Sequence, residues 1–209
     1  MRYFPFFSDI TSKTFLIIGG GPVALEKVNR LRRFTQDIIV IAPRTQIEGE
    51  PTQVPRKGAG KVQILCKEYS RVDLALGDYV VAATGLRDVD RKIAADCREL
   101  GIPVKVVDDR EYCDFIFPSI VKRGSLTVAI STSGTSPAYA RQLREEIERI
   151  LPQQIGSILE RMGDLRADLS ERIPDQKERA AAYRKILAAL IESGNDLTDE
   201  AIERIIEES

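Results

Sequence analysis

The chain contains no histidine. That excludes a Ser-His-Asp or Cys-His nucleophile pair and any His-ligated metal centre. Proton transfer is left to carboxylates, tyrosines and lysines, and a carboxylate whose pKa is raised by burial or by neighbours is the expected general base near neutral pH. Cysteine is scarce as well. Cys66, Cys97 and Cys113 are odd in number and far apart, which argues against a disulfide framework, a zinc ribbon or an iron–sulfur site and predicts a reducing, cytoplasmic setting with no bound metal. Charge of one sign is not in excess: 31 Lys and Arg face 32 Asp and Glu, so there is no global pull toward nucleic acid or an anionic membrane. A long apolar run is missing too. The cluster from Tyr3 to Phe7 contains Pro5 and is followed at once by Ser8 and Asp9, too short for a signal-peptide core or a membrane span.

The 209 residues, 43% of them hydrophobic, allow one domain or two small ones with an ordinary soluble core. Phe15 to Ile18 is an apolar, strand-like run that empties into Gly19-Gly20-Gly21 and then into a helical pattern from Pro22 to Phe34. Strand, glycine turn and helix in that order form the phosphate-binding start of a dinucleotide fold. Gly19 makes the tight turn, Gly21 lets the backbone approach a pyrophosphate, and Ala24 stands where only a small residue lets helix pack on strand. The helix N-terminus then faces the ligand's negative charge. The plainer reading is a strand-to-helix turn that needs glycine only for its backbone angles.

Short β-branched runs alternate with helical spacing through the first half, which predicts a doubly wound parallel sheet. The strand candidates are Thr14 to Ile18, Asp37 to Ala42, Val62 to Cys66, Tyr79 to Ala83 and Val104 to Val107. All are mostly apolar, as strands buried on both faces should be. Between the last two, Val89, Ile93, Cys97 and Leu100 share one helix face, with Gly101 as C-terminal cap and Pro103 beyond it, so Cys97 reads as a core residue. The polar segment from Arg44 to Lys61 reads as a long loop. The second strand ends in Pro43-Arg44, without the acid that often holds the ribose hydroxyls. Arg44 could meet a 2′-phosphate, stack on adenine, or be a solvated loop arginine.

After Val107 the character changes. Ile120 to Ile130 reads as a hairpin around a Lys-Arg-Gly-Ser turn. In Ser131-Thr-Ser-Gly134-Thr-Ser136-Pro137, Ser136 is placed as N-cap and Pro137 as first residue of a helix reaching Leu151, with Arg141 and Arg144 in its first turns. From Gln153 onward the pattern is helical, broken at Pro174, with Ala180 to Leu190 as its central helix and Ser193-Gly194-Asn195 as its end.

Gly19-Gly-Gly-Pro-Val-Ala24, Val106-Val-Asp108, Phe115-Ile-Phe-Pro-Ser119 and Ser133-Gly-Thr-Ser-Pro137-Ala-Tyr-Ala-Arg141 occur here in this order and spacing. Together they make the chain resemble the precorrin-2 dehydrogenases of siroheme biosynthesis from about Tyr3 to Pro152. The resemblance implies an α/β fold in three parts: a Rossmann-type NAD-binding domain over 1–112, a small α+β dimerisation hairpin and helix over 113–151, and a C-terminal helical domain over 152–209. It implies NAD-dependent oxidation of precorrin-2 to sirohydrochlorin by a homodimer, and more weakly the insertion of ferrous iron to give siroheme. No methyltransferase domain is expected on the chain, so a separate protein would supply precorrin-2.

The resemblance also assigns residues. Asp108 matches the family's catalytic aspartate, with Asp109 as the competitor, since neighbours on an extended strand point to opposite faces. Pro22, Val23, Pro43, Arg44, Thr84 and Gly85 match cofactor positions, though Thr84 also reads as a simple turn residue. The eight carboxylates of precorrin-2 call for cationic or backbone donors. The helix start at Ser136 is one candidate, with Arg110, Lys122, Arg123 and Arg141 as cations that could help it and Ser119, Ser133 and Thr135 as weaker versions of the same assignment. Each of these also reads as ordinary capping or surface charge. A reading from another class is a nucleotide-sensing module that binds NAD and signals through its hairpin without turnover.

Overall fold

The computed structural model describes residues 3–207. It divides into two compact units, one running to Ile116 and the other beginning at Phe117.

The first unit is a parallel sheet of six strands: β1 (Phe15–Ile18), β2 (Ile38–Ile41), β3 (Glu50–Pro51), β4 (Val62–Leu65), β5 (Tyr79–Ala82) and β6 (Val104–Val106) in the spatial order β3-β4-β2-β1-β5-β6. Every residue of β1, β2 and β4 is buried, which is why these strands read as unbroken apolar runs. Order reverses between β1 and β5: the chain builds outward from β1 through β2 to β4, then crosses to β5 on the other side. Such a switch point opens a crevice at the carboxyl ends of the strands. Phe15 and Tyr79 are register partners at the amino ends of the parallel strands β1 and β5, so their rings stack with centroids 5.1 Å apart, and Phe115 packs edge-on against Tyr79 at 5.8 Å.

Helix α1 (Pro22–Leu31) ends three residues before the pattern suggested. Helix α2 (Arg87–Leu100) runs into Gly101, whose φ of +68° makes the left-handed cap. Its buried face is Asp90, Ile93, Ala94, Asp96 and Cys97, while Leu100, expected on that face, is 50% exposed. The loop from Arg44 to Lys61 holds an element the sequence did not announce. Glu50 and Pro51 pair in parallel with Gln63 and Ile64 of β4 as the edge strand β3, where Pro51 needs no outward partner for the N–H it lacks.

In the second unit β7 (Ser119–Arg123) and β8 (Leu126–Ile130) form an antiparallel hairpin. Gly124 fills the first loop position with φ of +54°, a backbone a two-residue hairpin turn with glycine in that place requires. Helix α3 (Pro137–Ile150) follows, N-capped by Ser136, whose Oγ accepts the Tyr139 N–H at 3.3 Å. Helices α4 (Ile155–Arg172), α5 (Gln176–Glu192) and α6 (Asp199–Glu207) share a core of Ile158, Leu169, Ala182, Ile186, Leu190, Ile202 and Ile206. Asp175 caps α5 by accepting the Lys177 and Glu178 N–H groups. Gly194 and Asn195, both with positive φ, end it. No described helix is long and apolar enough to cross a membrane.

Candidate functional site: a cleft at the switch point

A cleft of about 350 Å³ opens at the carboxyl ends of β1, β5 and β6. Its wall comes from the glycine turn (Gly21, Pro22, Val23), the end of β5 (Ala83, Thr84, Gly85), the start of α2 (Arg87, Asp90) and the turn after β6 (Val106 to Asp109). The size suits a small-molecule or cofactor pocket.

Gly19 has φ of +130°, and a Cβ there would collide with the Ala83 carbonyl, so the turn brings the ends of β1 and β5 together. Gly20 is packed too: a Cβ would collide with the Arg44 carbonyl oxygen, and the Thr45 hydroxyl donates to the Gly20 carbonyl at 3.2 Å. Gly21 is different. Nothing lies within 4 Å of where its Cβ would be, and it is extended, with φ of −81° and ψ of −177°. It is the N-cap of α1 and offers no side chain to the helix's first N–H groups, and no acid stands in the first turn. The space beside Gly21 and those donors fit a pyrophosphate. Ala24 is fully buried at the foot of α1.

Thr84 lines the cleft but its polar groups are engaged: its N–H and hydroxyl both reach Asp90 Oδ1, at 3.1 and 2.8 Å. Asp90 itself is only 5% exposed. Gly85 has φ of +76° with open space around it. Pro43 and Arg44 are exposed at the end of β2 and do not line the cleft.

Strand β6 stops at Val106, and Asp108 has φ of +60°. The alternation of an extended strand therefore does not separate Asp108 from Asp109. A left-handed turn does. Asp108 is exposed and lines the cleft, and it makes no hydrogen bond or ion pair among the described residues. Asp109 is engaged, its Oδ2 lying 3.1 Å from Arg91 Nε.

The remaining predicted residues lie in the second unit or off the cleft. Ser119 opens β7 opposite Ile130, the residue that leads into the loop of Ser133, Thr135 and Ser136. Ser133 and Gly134 have φ of +51° and +71°. The loop is tied internally: the Ser133 N–H donates to Ser131 Oγ, the Ser136 N–H to Thr132 Oγ1, and the Thr135 N–H to the Thr132 carbonyl. Arg141 is exposed one turn into α3. Arg123 is committed elsewhere, to the carbonyls of Glu148, Leu151 and Pro152 at 2.7–2.9 Å. Lys122 donates to the Gly124 carbonyl at 2.7 Å, and Arg110 is exposed in the turn after Asp109. All three cysteines are free, Cys66 exposed and Cys97 and Cys113 buried. Among the described residues no three Cys, Asp or Glu side chains gather as a metal site.

Sequence reasoning missed Gly20, Asp90 and the Arg91–Asp109 pair as parts of the site. The run of three glycines was a signal for the first. For Asp90 the signal was an acid in the first turn of α2, which also reads as simple complementarity to the helix dipole.

A doubly wound parallel sheet with a glycine turn, an uncapped helix start and a cleft at its switch point defines a dinucleotide-binding protein. The chain belongs to the putative NAD(P)-binding family, whose model matches residues 6–119, and a second model, described as sirohaem biosynthesis protein central, matches residues 123–150. Among curated relatives, a siroheme synthase of Thioalkalivibrio sulfidiphilus is 34% identical over 99% of this chain and 42% of its own length. Siroheme synthases of Pseudoalteromonas translucida and Zymomonas mobilis are 33% and 35% identical over 92% and 91% of this chain, and 40% of their own lengths. The chain thus spans about two fifths of these relatives. A solved structure described as SirC, precorrin-2 dehydrogenase, shares the fold with a TM-score of 0.67 and 17% identity, over 99% of this chain and 98% of that one.

Proposed function

We propose that the protein oxidises precorrin-2 to sirohydrochlorin with NAD, as a cytoplasmic homodimer of siroheme biosynthesis. The observation that carries this reading is Asp108, an exposed carboxylate with no partner among the described residues, in the same cleft as Gly21 and the open start of α1. The siroheme synthases that match nearly the whole chain support the pathway, and the shared fold with a precorrin-2 dehydrogenase supports the reaction.

Gly21, Pro22 and Val23 would hold the pyrophosphate of NAD, and Thr84 and Gly85 would flank it from β5. NAD supplies the hydride acceptor. Loss of two hydrogens from the tetrapyrrole then leaves one proton, which the Asp108 carboxylate takes as general base, a role within reach of its exposed position. The assignment of Pro43 and Arg44 is to the adenosine end, where no acid selects the ribose hydroxyls. Ser119, Ser133, Thr135, Ser136 and Arg141 are assigned to the carboxylates of the substrate, through the start of α3 and one guanidinium. We assign 1–112 to NAD binding, 113–151 to dimerisation and 152–209 to a helical domain. Tyr139 and Ile150 of α3, 56% and 79% exposed, are apolar surface that a second copy would cover.

The test is anaerobic incubation with enzymatically made precorrin-2 and NAD, then NADP, following reduced nicotinamide and the tetrapyrrole spectrum together. Asp108→Asn is the informative variant, because asparagine accepts the left-handed backbone that alanine resists. Stoichiometric reduced cofactor and sirohydrochlorin, slowed by about 10²- to 10⁴-fold in Asp108→Asn, are expected. Ferrous iron added to the product then tests the chelatase step that the resemblance adds. Nucleotide binding without turnover would instead leave a sensing module.

A further inference from the structure

Asp108 has a left-handed backbone and no side-chain partner of its own among the described residues, so its direction is set by the chain on either side. Upstream, the Val107 N–H donates to the Ala82 carbonyl at 3.0 Å. Downstream, the Asp109 side chain is 14% exposed and bonded to Arg91 of α2. The Arg91 guanidinium lies 5.3 Å from the Tyr112 ring centroid and that of Arg98 lies 4.9 Å from the same ring. Arg98 Nη2 also donates to the Glu111 carbonyl at 2.8 Å. The Cys113 thiol reaches the carbonyls of Val106 and Asp109 at 3.1 and 3.2 Å, bridging the turn from below. Asp114 closes it, its carboxylate accepting the Val104 N–H and its own N–H donating to the Val104 carbonyl.

We propose that Arg91 and Asp109 are positioning residues for Asp108: their ion pair locks the left-handed turn against α2 and so aims the neighbouring carboxylate into the cleft. The pairing also takes Asp109 out of contention as the base. The proposal rests on the reading of Asp108 given above. A loop ion pair with no such role would add up to about 1 kcal/mol of stability and nothing to turnover. A base displaced by about 1 Å, by contrast, loses rate without losing ligand.

The experiment measures steady-state precorrin-2 oxidation by the full chain as wild type, Arg91→Gln, Asp109→Asn and the double variant, with NAD affinity measured separately by titration. Each single change is expected to lower kcat by about 10- to 100-fold. KM for precorrin-2 and Kd for NAD should stay within about twofold, the signature of an interaction that matters in the transition state. The double variant should be no slower than the slower single one, because both changes break one pair. Wild-type kcat in Asp109→Asn, or fully additive losses in the double, would overturn the proposal while leaving the dehydrogenase reading intact. Should Arg91→Gln fail to fold, the near-isosteric Asp109→Asn decides alone. A wild-type protein that binds NAD but does not oxidise precorrin-2 overturns the dehydrogenase reading and this inference with it.

Discussion

Gly19 and Gly21 differ in what surrounds them, and that difference separates folding from binding. Gly19 combines φ of +130° with a backbone contact to Ala83, whereas Gly21 has an ordinary φ and empty space where a Cβ would go. Gly19→Ala should therefore cost about 3 kcal/mol or more, since it meets both strain and collision. Gly21→Ala should fold with stability within about 0.5 kcal/mol of the parent, yet bind NAD at least about tenfold more weakly, because its methyl fills the space a pyrophosphate needs. Urea unfolding and nucleotide titration on both variants check this. A Gly21→Ala protein with parental affinity would place the pyrophosphate elsewhere. The left-handed turn at Asp108 was not legible in the sequence. Val-Val-Asp-Asp reads as the continuation of a strand, whereas the chain has already turned at Asp108, with φ of +60°, and Asp109 is tied to Arg91 of α2.

At the level of elements, five strands of the sheet were legible because double burial forces unbroken apolar runs, with ends shifted by a residue or so. β3 was not. Its two exposed residues are Glu50 and Pro51, and what makes them a strand is pairing with β4, a long-range contact that no local pattern carries. The start of α3 was legible because Ser136 and Pro137 act locally, whereas the role of Arg123 was not. In a Lys-Arg-Gly-Ser turn an arginine reads as solvated charge. Packing of β7 beside α3 turns it onto the carbonyls of Glu148, Leu151 and Pro152, the open C-terminal end of the helix, where a cation also meets the negative end of the dipole. Arg123→Ala should lower stability by about 2 kcal/mol, the scale of hydrogen bonds from a charged donor. Nucleotide affinity should not change, because Arg123 lies outside the unit that holds the cleft. Loss of α3 helicity by circular dichroism with unaltered nucleotide titration is the expected pattern.

Across the whole molecule the cleft and the core of the first unit are linked by thermodynamics, because a ligand that binds only the folded form stabilises everything that unfolds with it. Cys97 reports on that core. Burial, with the carboxylates of Asp96 and Asp114 nearby, pushes its thiol up to about 12 from an ordinary 9.0. Burial and the bond to Asp96 push the Tyr69 hydroxyl up as well. In the unfolded chain both groups lose their protons near their ordinary values, while the folded chain keeps them. Above about pH 9 the unfolded state thus binds fewer protons, and stability falls with rising pH by at most about 1.4 kcal/mol per unit for each group. Below that pH neither group contributes any slope. Cys66 is exposed and should react at once with a thiol reagent, while Cys97 should react only as fast as the core opens, and faster as the pH rises from about 9. NAD at 100 times its Kd adds about 2.7 kcal/mol to the folded form. It should therefore slow Cys97 labelling by about 100-fold while leaving Cys66 untouched. Labelling of Cys97 that ignores NAD, in a protein whose Cys66 behaves as expected, would mean that the cleft at the switch point is not where the nucleotide binds.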